Sequence, residues 1–468
     1  MTMTLPKTDR TKLMTFSNPG RYLLLASLAF LAGCSSIQDT ASQINPFVLL
    51  EEDDPEQAPV DERVSILSFE QSLQADPEAA ATPVVLPTAY RNTIWAQPDG
   101  YPTHAMQHTQ ATGNLDILFR NRFGQGSDRS SRINARPVFA DGRIYAMDGR
   151  GRVYALDAES GSEIWEARLR SGFRNDRTSF GGGLAFDGGR VFAHNGNRFI
   201  AALDAATGAE IWRAESLTPF HSAPTAVNGM VFVSTDDNEL YAIEQDSGDI
   251  AWNHQGISEP ARLLTSPSVA VLGETVVAPY ASGELVALRI QNGNPIWTDA
   301  LTRTGGLTPI SAINDVAGSP VIVDDFVYAM SHSGILAAFN LRTGERLWTQ
   351  PAGGLHAPWV AGDYLFLVTS DGEVVCVERE SGSIRWITQL QQFESERRRR
   401  NRIAWSGPVM AGGRLVLAGS HGRAVILSAT DGTLQRHVNL GGPVFVAPII
   451  VNETIYVVTD EARLVALR

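Results

Sequence analysis

Glycine and tryptophan recur four residues apart along this chain, and no other feature restricts its fold as tightly. The pairs are Gly161/Trp165, Gly208/Trp212, Gly248/Trp252, Gly293/Trp297, Gly344/Trp348 and Gly382/Trp386. A seventh copy keeps Gly432 but carries Arg436 where the indole should be. Self-similarity at a period of about 40 to 50 residues marks a stacked-repeat architecture, and it outranks chain length as a guide to domain count. Upstream of each pair lies a Pro (Gly183 stands in its place in the second repeat), a turn residue about five positions on, and an alternating apolar run, as in Pro224, Gly229 and Val231-Phe232-Val233. A polar turn and a second run of the Leu-x-Ala-Leu type follow. No segment of repeat length has a helical period.

Four short antiparallel strands per repeat make a propeller blade. Repeat starts fall at Pro137, Gly183, Pro224, Pro267, Pro320, Pro358, Pro408 and Pro448, which predicts an all-β, eight-bladed β-propeller. The eighth repeat stops at Arg468, before its outer strand. The pattern of Leu118 to Phe123 matches that of Ile164 to Leu169, with Phe119 in the place of Trp165. An N-terminal strand is therefore expected to close the ring and remove its exposed edges. Trp165, Trp212, Trp252, Trp297, Trp348 and Trp386 are read as structural wedges between blades, each burying ~150–250 Å². Six residues before each glycine stand Ala155, Ala202, Ala242, Ala287, Ala338, Cys376 and Ile426. Small residues at that site leave room for the indole, and Ile426 is expected to compensate for the tryptophan lost at Arg436. Cys376 reads as a small buried hydrophobe at an alanine position.

The N-terminus is of a different kind. Lys7, Arg10, Lys12 and Arg21 precede an apolar stretch from Tyr22 to Leu31 that is too short to span a bilayer. It ends in Leu31-Ala32-Gly33-Cys34, which resembles the lipobox of bacterial lipoproteins. The resemblance implies cleavage before Cys34 and acylation there, and Ser35 then implies sorting to the outer membrane, on its periplasmic face. Translation could begin at Met1 or at Met14. Residues 1–33 are thus expected to be a signal peptide, 34–89 a flexible linker with an acidic run at Glu51 to Asp54 and several prolines, and 90–468 the propeller. Val64 to Phe69 is an apolar island within the linker. With Cys34 acylated, Cys376 has no disulfide partner. A net charge of −13 argues against a nucleic-acid surface.

The blades resemble the quinoprotein-type, PQQ-like repeat, with its A-x-D-x-x-x-G-x-x-x-W pattern, from about residue 130 to 468. Among proteins built this way the chain is most similar to the BamB family, lipoproteins of the outer-membrane β-barrel assembly (BAM) machine. It has no Cys-Cys pair, acidic cation cage, haem motif or kinase signature, so neither a catalytic nor a sensor-kinase reading fits, and no cofactor or metal is expected. The resemblance implies a non-enzymatic scaffold docked on the POTRA domains of a BamA-like protein, beside other BAM lipoproteins and near unfolded outer-membrane proteins. By the same resemblance Arg262, five residues before Pro267, and Asp315, five before Pro320, are partner-facing. The family's second acidic position is Ala317 here, and its leucines before the arginine are Glu259 and Ala261. Two other readings stay open: a periplasmic propeller for cell-envelope ligands, and a degenerate quinoprotein.

Three further features are noted. His194, His332 and His421 fall at equivalent turns and read as polar turn residues. Arg397 to Arg402 forms a basic insertion that could meet the acidic run, lipid phosphates or a partner. Tyr90 to Gln110 is expected to cover one end of the ring.

Overall fold

The computed structural model describes residues 73–171, 181–259, 261–302 and 313–468. The expected signal peptide, Cys34, the acidic run and the Val64–Phe69 island lie outside them. Eight four-stranded antiparallel sheets fill the described chain. Blade 1 comprises Val138–Ala140, Arg143–Met147, Arg152–Asp157 and Glu163–Arg168, named strands a to d from the axis outward. Blades 2 to 7 repeat the plan, from Gly183–Asp187 in blade 2 to Leu434–Asn439 in blade 7. Blade 8 takes strands a to c from Ile449–Val451, Thr454–Val458 and Arg463–Leu467, and strand d from Ile117–Arg122 at the other end of the chain.

The tryptophan spacing now has a physical cause. Within a blade each indole sits directly across from the small residue of strand c, in the pairs Ala155–Trp165, Ala202–Trp212, Ala242–Trp252, Ala287–Trp297, Ala338–Trp348 and Cys376–Trp386. Phe119 faces Ala466 in the same register in blade 8. The indole then leans onto the next blade's turn glycine. A Cβ on Gly208, Gly248, Gly293, Gly344 or Gly382 would fall 2.4–2.8 Å from the preceding blade's tryptophan. Those glycines also have φ between +69° and +80°, where a side chain is strained. The indole N–H donates across the blade gap to a backbone carbonyl, for example Trp252 to Ile290 at 2.8 Å and Trp297 to Leu341 at 2.7 Å. The aspartate of the repeat caps the same turn: Asp204 accepts from the Thr207 N–H at 2.8 Å and from its hydroxyl at 2.7 Å.

Arg436 departs from the pattern for a reason other than the one expected. Ile426 does lie opposite it. The next blade, however, has no c–d turn for an indole to lean on, because its strand d arrives from the N-terminus. Arg436 instead donates to the Asn114 carbonyl and to the Asp116 carboxylate, both at 2.6 Å, just ahead of the closing strand.

The 34–89 linker boundary is also corrected. Residues from Asp76 onward lie on blade 6. The Asp76 N–H donates to Ile384 of its outer strand at 2.9 Å, a short helix covers Pro77–Ala80, and Arg385 holds the Thr82 carbonyl. Asp76 caps that helix by accepting from Glu78 and Ala79, a local signal overlooked because prolines surround it.

Residues 92 to 109 make a collar inside the ring. Asn92 bonds Ile450 of blade 8, Trp95 bonds Phe139 of blade 1, Ala96 bonds Phe186 of blade 2, and Gln97 bonds Ala226 of blade 3. Pro102 accepts from Val271 of blade 4, Thr103 from Ile322 of blade 5, and Gln107 meets Trp359 of blade 6. The Thr109 carbonyl reaches Gly412 of blade 7. The collar thus meets all eight blades in turn and satisfies polar groups that would otherwise be costly to bury.

Candidate functional site

Two places can carry function: the axial channel and the rim bearing the inter-blade loops and b–c turns. The channel is filled. Behind the collar, Asp99 pairs with Arg136, and His104 bonds the Pro320 carbonyl at 2.6 Å. Burial pushes the Asp99 carboxyl up, but Arg136 and His104 outweigh it and hold it below the usual range. Burial pushes His356 down to about 4. A cavity of about 30 Å³ remains among Asp99, His104, His356 and Trp359, space for a water and not for a fused-ring cofactor.

The loops that leave blades 2 and 3 frame an open groove on the rim, lined by Pro219, Phe220, His221, Asp236, Arg262 and Leu264. Arg262 is 13% exposed, and its Nη1 lies 3.7 Å from Asp236 Oδ1. Asp315 comes from the following inter-blade loop but does not face outward. It is 2% exposed, and its Oδ2 accepts the Leu263 N–H at 3.0 Å. Burial raises its pKa, partly offset by that bond and by Arg262. Arg262 and Asp315 are therefore brought together, but as a charged head and the brace that fixes its loop. His221 is driven down to about 3 by burial, helped by Arg262 and His194, so it stays neutral beside Asp236.

Sequence reasoning missed the apolar part of this rim. Leu217, Ile257 and Leu264 are 88%, 63% and 60% exposed on the two loops that frame the groove. Large exposed apolar side chains on loops that also carry charged ones have the composition of a protein-binding surface. The family resemblance points to leucines before the arginine, whereas this chain carries Leu264 after it. Among the histidines, His194 is fully buried and donates to the Ser222 carbonyl at 2.7 Å, while His421 packs edge-on to Trp405. No group of three metal-ligating side chains occurs among the described residues.

The family model described as outer membrane protein assembly factor BamB matches residues 91–179 and 174–388. Proteins of that description from Yersinia pestis and Escherichia coli K12 are each 27% identical to this chain. The first match covers 69% of this chain and 81% of that protein, the second 66% and 78%. Among solved structures, BamB from Moraxella catarrhalis superposes with a TM-score of 0.65 at 20% identity, over 76% of this chain and 100% of that one. Quinohemoprotein alcohol dehydrogenase from Comamonas testosteroni shares the fold, with a TM-score of 0.62 at 13% identity over 86% of this chain and 83% of that one.

Proposed function

This chain belongs to the BamB family of outer membrane protein assembly factors, and on that premise we propose that it is a non-catalytic scaffold of the barrel-assembly machine. Its anchor is Cys34, acylated and held in the outer membrane at the periplasmic face. Its docking surface is the groove between the loops leaving blades 2 and 3, and the partner is a POTRA domain of a BamA-like protein. Other lipoproteins of the machine and unfolded barrel precursors are the further company this placement implies.

The observation that carries the reading is the rim itself, where Leu264 and Arg262 line one groove and Leu217 and Ile257 stand exposed on the two loops that frame it. Apolar anchors beside an arginine are the composition of interface hot spots. Asp315 acts as a positioning residue: by holding Leu263 it sets where Arg262 and Leu264 project. The small size of the cavity behind the collar, about 30 Å³, favours a scaffold over a cofactor-binding role.

The test is site-specific photocrosslinking. A photoreactive residue at Leu264 should give one dominant adduct with the BamA-like protein in intact envelopes, and one at Glu159 on the opposite rim should not. Crosslinking from both positions alike, or from neither, overturns the reading. Lysine occurs only at positions 7 and 12, so amine-directed crosslinkers are unsuitable for the mature chain.

A further inference from the structure

The basic insertion is a built arm. Phe393–Ser395 and Arg400–Arg402 pair as a two-stranded hairpin, joined by a 3₁₀ turn at Glu396–Arg398. Glu396 fixes the base by accepting the N–H groups of Gln392 and Phe393 at 2.9 and 3.1 Å. Asn401 donates to Glu394 at 2.9 Å, and Arg399 and Asn401 turn the tip with φ of +45° and +58°. Arg399 lies over the Phe393 ring, and Arg402 pairs with Asp371 at 2.6 Å. Arg397, Arg398 and Arg400 are exposed, and their guanidinium groups meet no carboxylate among the described residues.

We infer that this hairpin docks the propeller on the anionic phospholipid headgroups of the membrane that holds its anchor. The inference rests on Cys34 being that anchor. Three observations support it. An ordered hairpin holds three uncompensated cations outward from a chain of net charge −13. An anionic surface repels such a chain everywhere except where cations cluster, and guanidinium groups suit phosphate by their planar, forked donors. Next, the arm leaves blade 6 beyond Gln389, and the anchor-side segment at Asp76 meets the same blade at Ile384, the other end of that strand. The chain between residues 34 and 73 can span up to ~130 Å, so that blade can reach a bilayer. Finally, Phe445 stands 46% exposed on the next inter-blade loop along the same rim, where it can enter the interfacial region.

The experiment uses the mature lipidated protein reconstituted into vesicles of phosphatidylethanolamine with phosphatidylglycerol, and of phosphatidylcholine alone. Ser395→Cys places a fluorophore on the hairpin. It is the only reactive thiol, since Cys34 is acylated and Cys376 is fully buried. Headgroup-attached spin labels should quench it in the anionic vesicles and not in the neutral ones, while a label at Glu159→Cys on the opposite rim stays bright. Replacing Arg397, Arg398 and Arg400 by Ser should weaken the docking equilibrium roughly hundredfold, given the attraction of each cation to an anionic leaflet. Quenching that is equal in both lipids, or that survives the triple substitution, overturns the inference while vesicle flotation upholds the anchor. Loss of flotation removes the anchor and the inference with it. Polyglutamate that releases the hairpin far below the charge concentration at which inorganic phosphate does would assign the site to an acidic protein segment and overturn it as well.

Discussion

Gln97 grips Ala226 with both ends of its side-chain amide: Oε1 accepts the Ala226 N–H at 2.9 Å, and Nε2 donates to the Ala226 carbonyl at 2.8 Å. One side chain thus does for the inner strand of blade 3 what a neighbouring strand would do. Both groups are buried, and a buried amide left unpaired costs ~1–3 kcal/mol. Gln97→Ala should therefore lower the unfolding free energy by about 2–4 kcal/mol in a urea titration. Gln97→Met, which keeps the volume but not the bonds, should cost nearly as much. A Met variant close to wild type would mean that the amide only fills space.

The inter-blade wedge separates two roles of glycine. Gly229 has φ +76° with nothing near its missing Cβ, while Gly293 has φ +69° with Trp252 at 2.4 Å. Alanine at either pays the left-handed strain of ~1–2 kcal/mol. Only Gly293→Ala also forces the indole aside, a further ~1–3 kcal/mol typical of overpacking. Gly293→Ala should thus destabilise clearly more than Gly229→Ala. Combining it with Trp252→Leu should cost less than the sum of the two single changes.

Much of this fold was legible because the repeat writes its packing into side chains. Alanine opposite tryptophan, glycine in the turn and the N-terminal Phe119 match are all residue-level signals. That each glycine also seats the indole of the blade before it was not legible, because the contact crosses between repeats. The collar was hidden for another reason. Trp95, Ala96, Pro102, Thr103 and Thr109 act through backbone groups, which carry no residue signature. At the rim, Leu217 and Ile257 are indistinguishable in sequence from apolar residues that point inward, and Asp315 reads as an outward acid until its bond to Leu263 is seen.

Ring closure depends on the last strand. Strand Arg463–Leu467 pairs with both Thr454–Val458 and Ile117–Arg122. Truncation after Asp460 deletes it and leaves the N-terminal strand without a partner, so the domain should lose its cooperative thermal transition rather than shift it by a few degrees. The Arg436–Asp116 pair is exposed and worth at most ~1 kcal/mol. Arg436→Trp should bring no stabilisation, because blade 8 has no turn glycine to receive the indole. A rise in Tm with Arg436→Trp would show that the junction accepts the regular wedge.

Buried histidines make the propeller acid-sensitive. His194 donates from Nε2 to the Ser222 carbonyl and accepts the Gly196 N–H at Nδ1, so the fold holds it neutral. Burial lowers it to about 4, against 6.5 when free. Between these values the unfolded chain binds a proton that the folded one refuses, so stability rises with pH across this window and falls on acidification. The loss for this residue is about 3 kcal/mol by pH 4. Asp315 acts in the opposite direction, because burial raises its pKa and protonation relieves it. Unfolding free energies at pH 7.5, 6 and 5 should fall in that order (sampling values chosen to bracket the free histidine pKa of ~6.5). His194→Gln should flatten the slope, and an unchanged slope would exclude His194 as its source.

The rim separates binding from bracing. Leu264 is exposed, so Leu264→Glu should leave stability within ~0.5 kcal/mol, as surface changes usually do. An acid in an apolar contact should nonetheless sharply reduce co-purification of the BamA-like protein from detergent-solubilised envelopes. Arg262→Glu should do the same, because it sets a carboxylate beside Asp236 and removes the cation. Asp315→Leu should also weaken co-purification, but by a different route. It frees the Leu263 N–H, loosens the loop and lowers Tm. Asp315→Asn keeps an acceptor oxygen for that N–H and should recover both Tm and binding. If Asn fails to restore binding while Tm recovers, the partner reads the charge at position 315 itself, and the assignment of Asp315 as a brace is wrong.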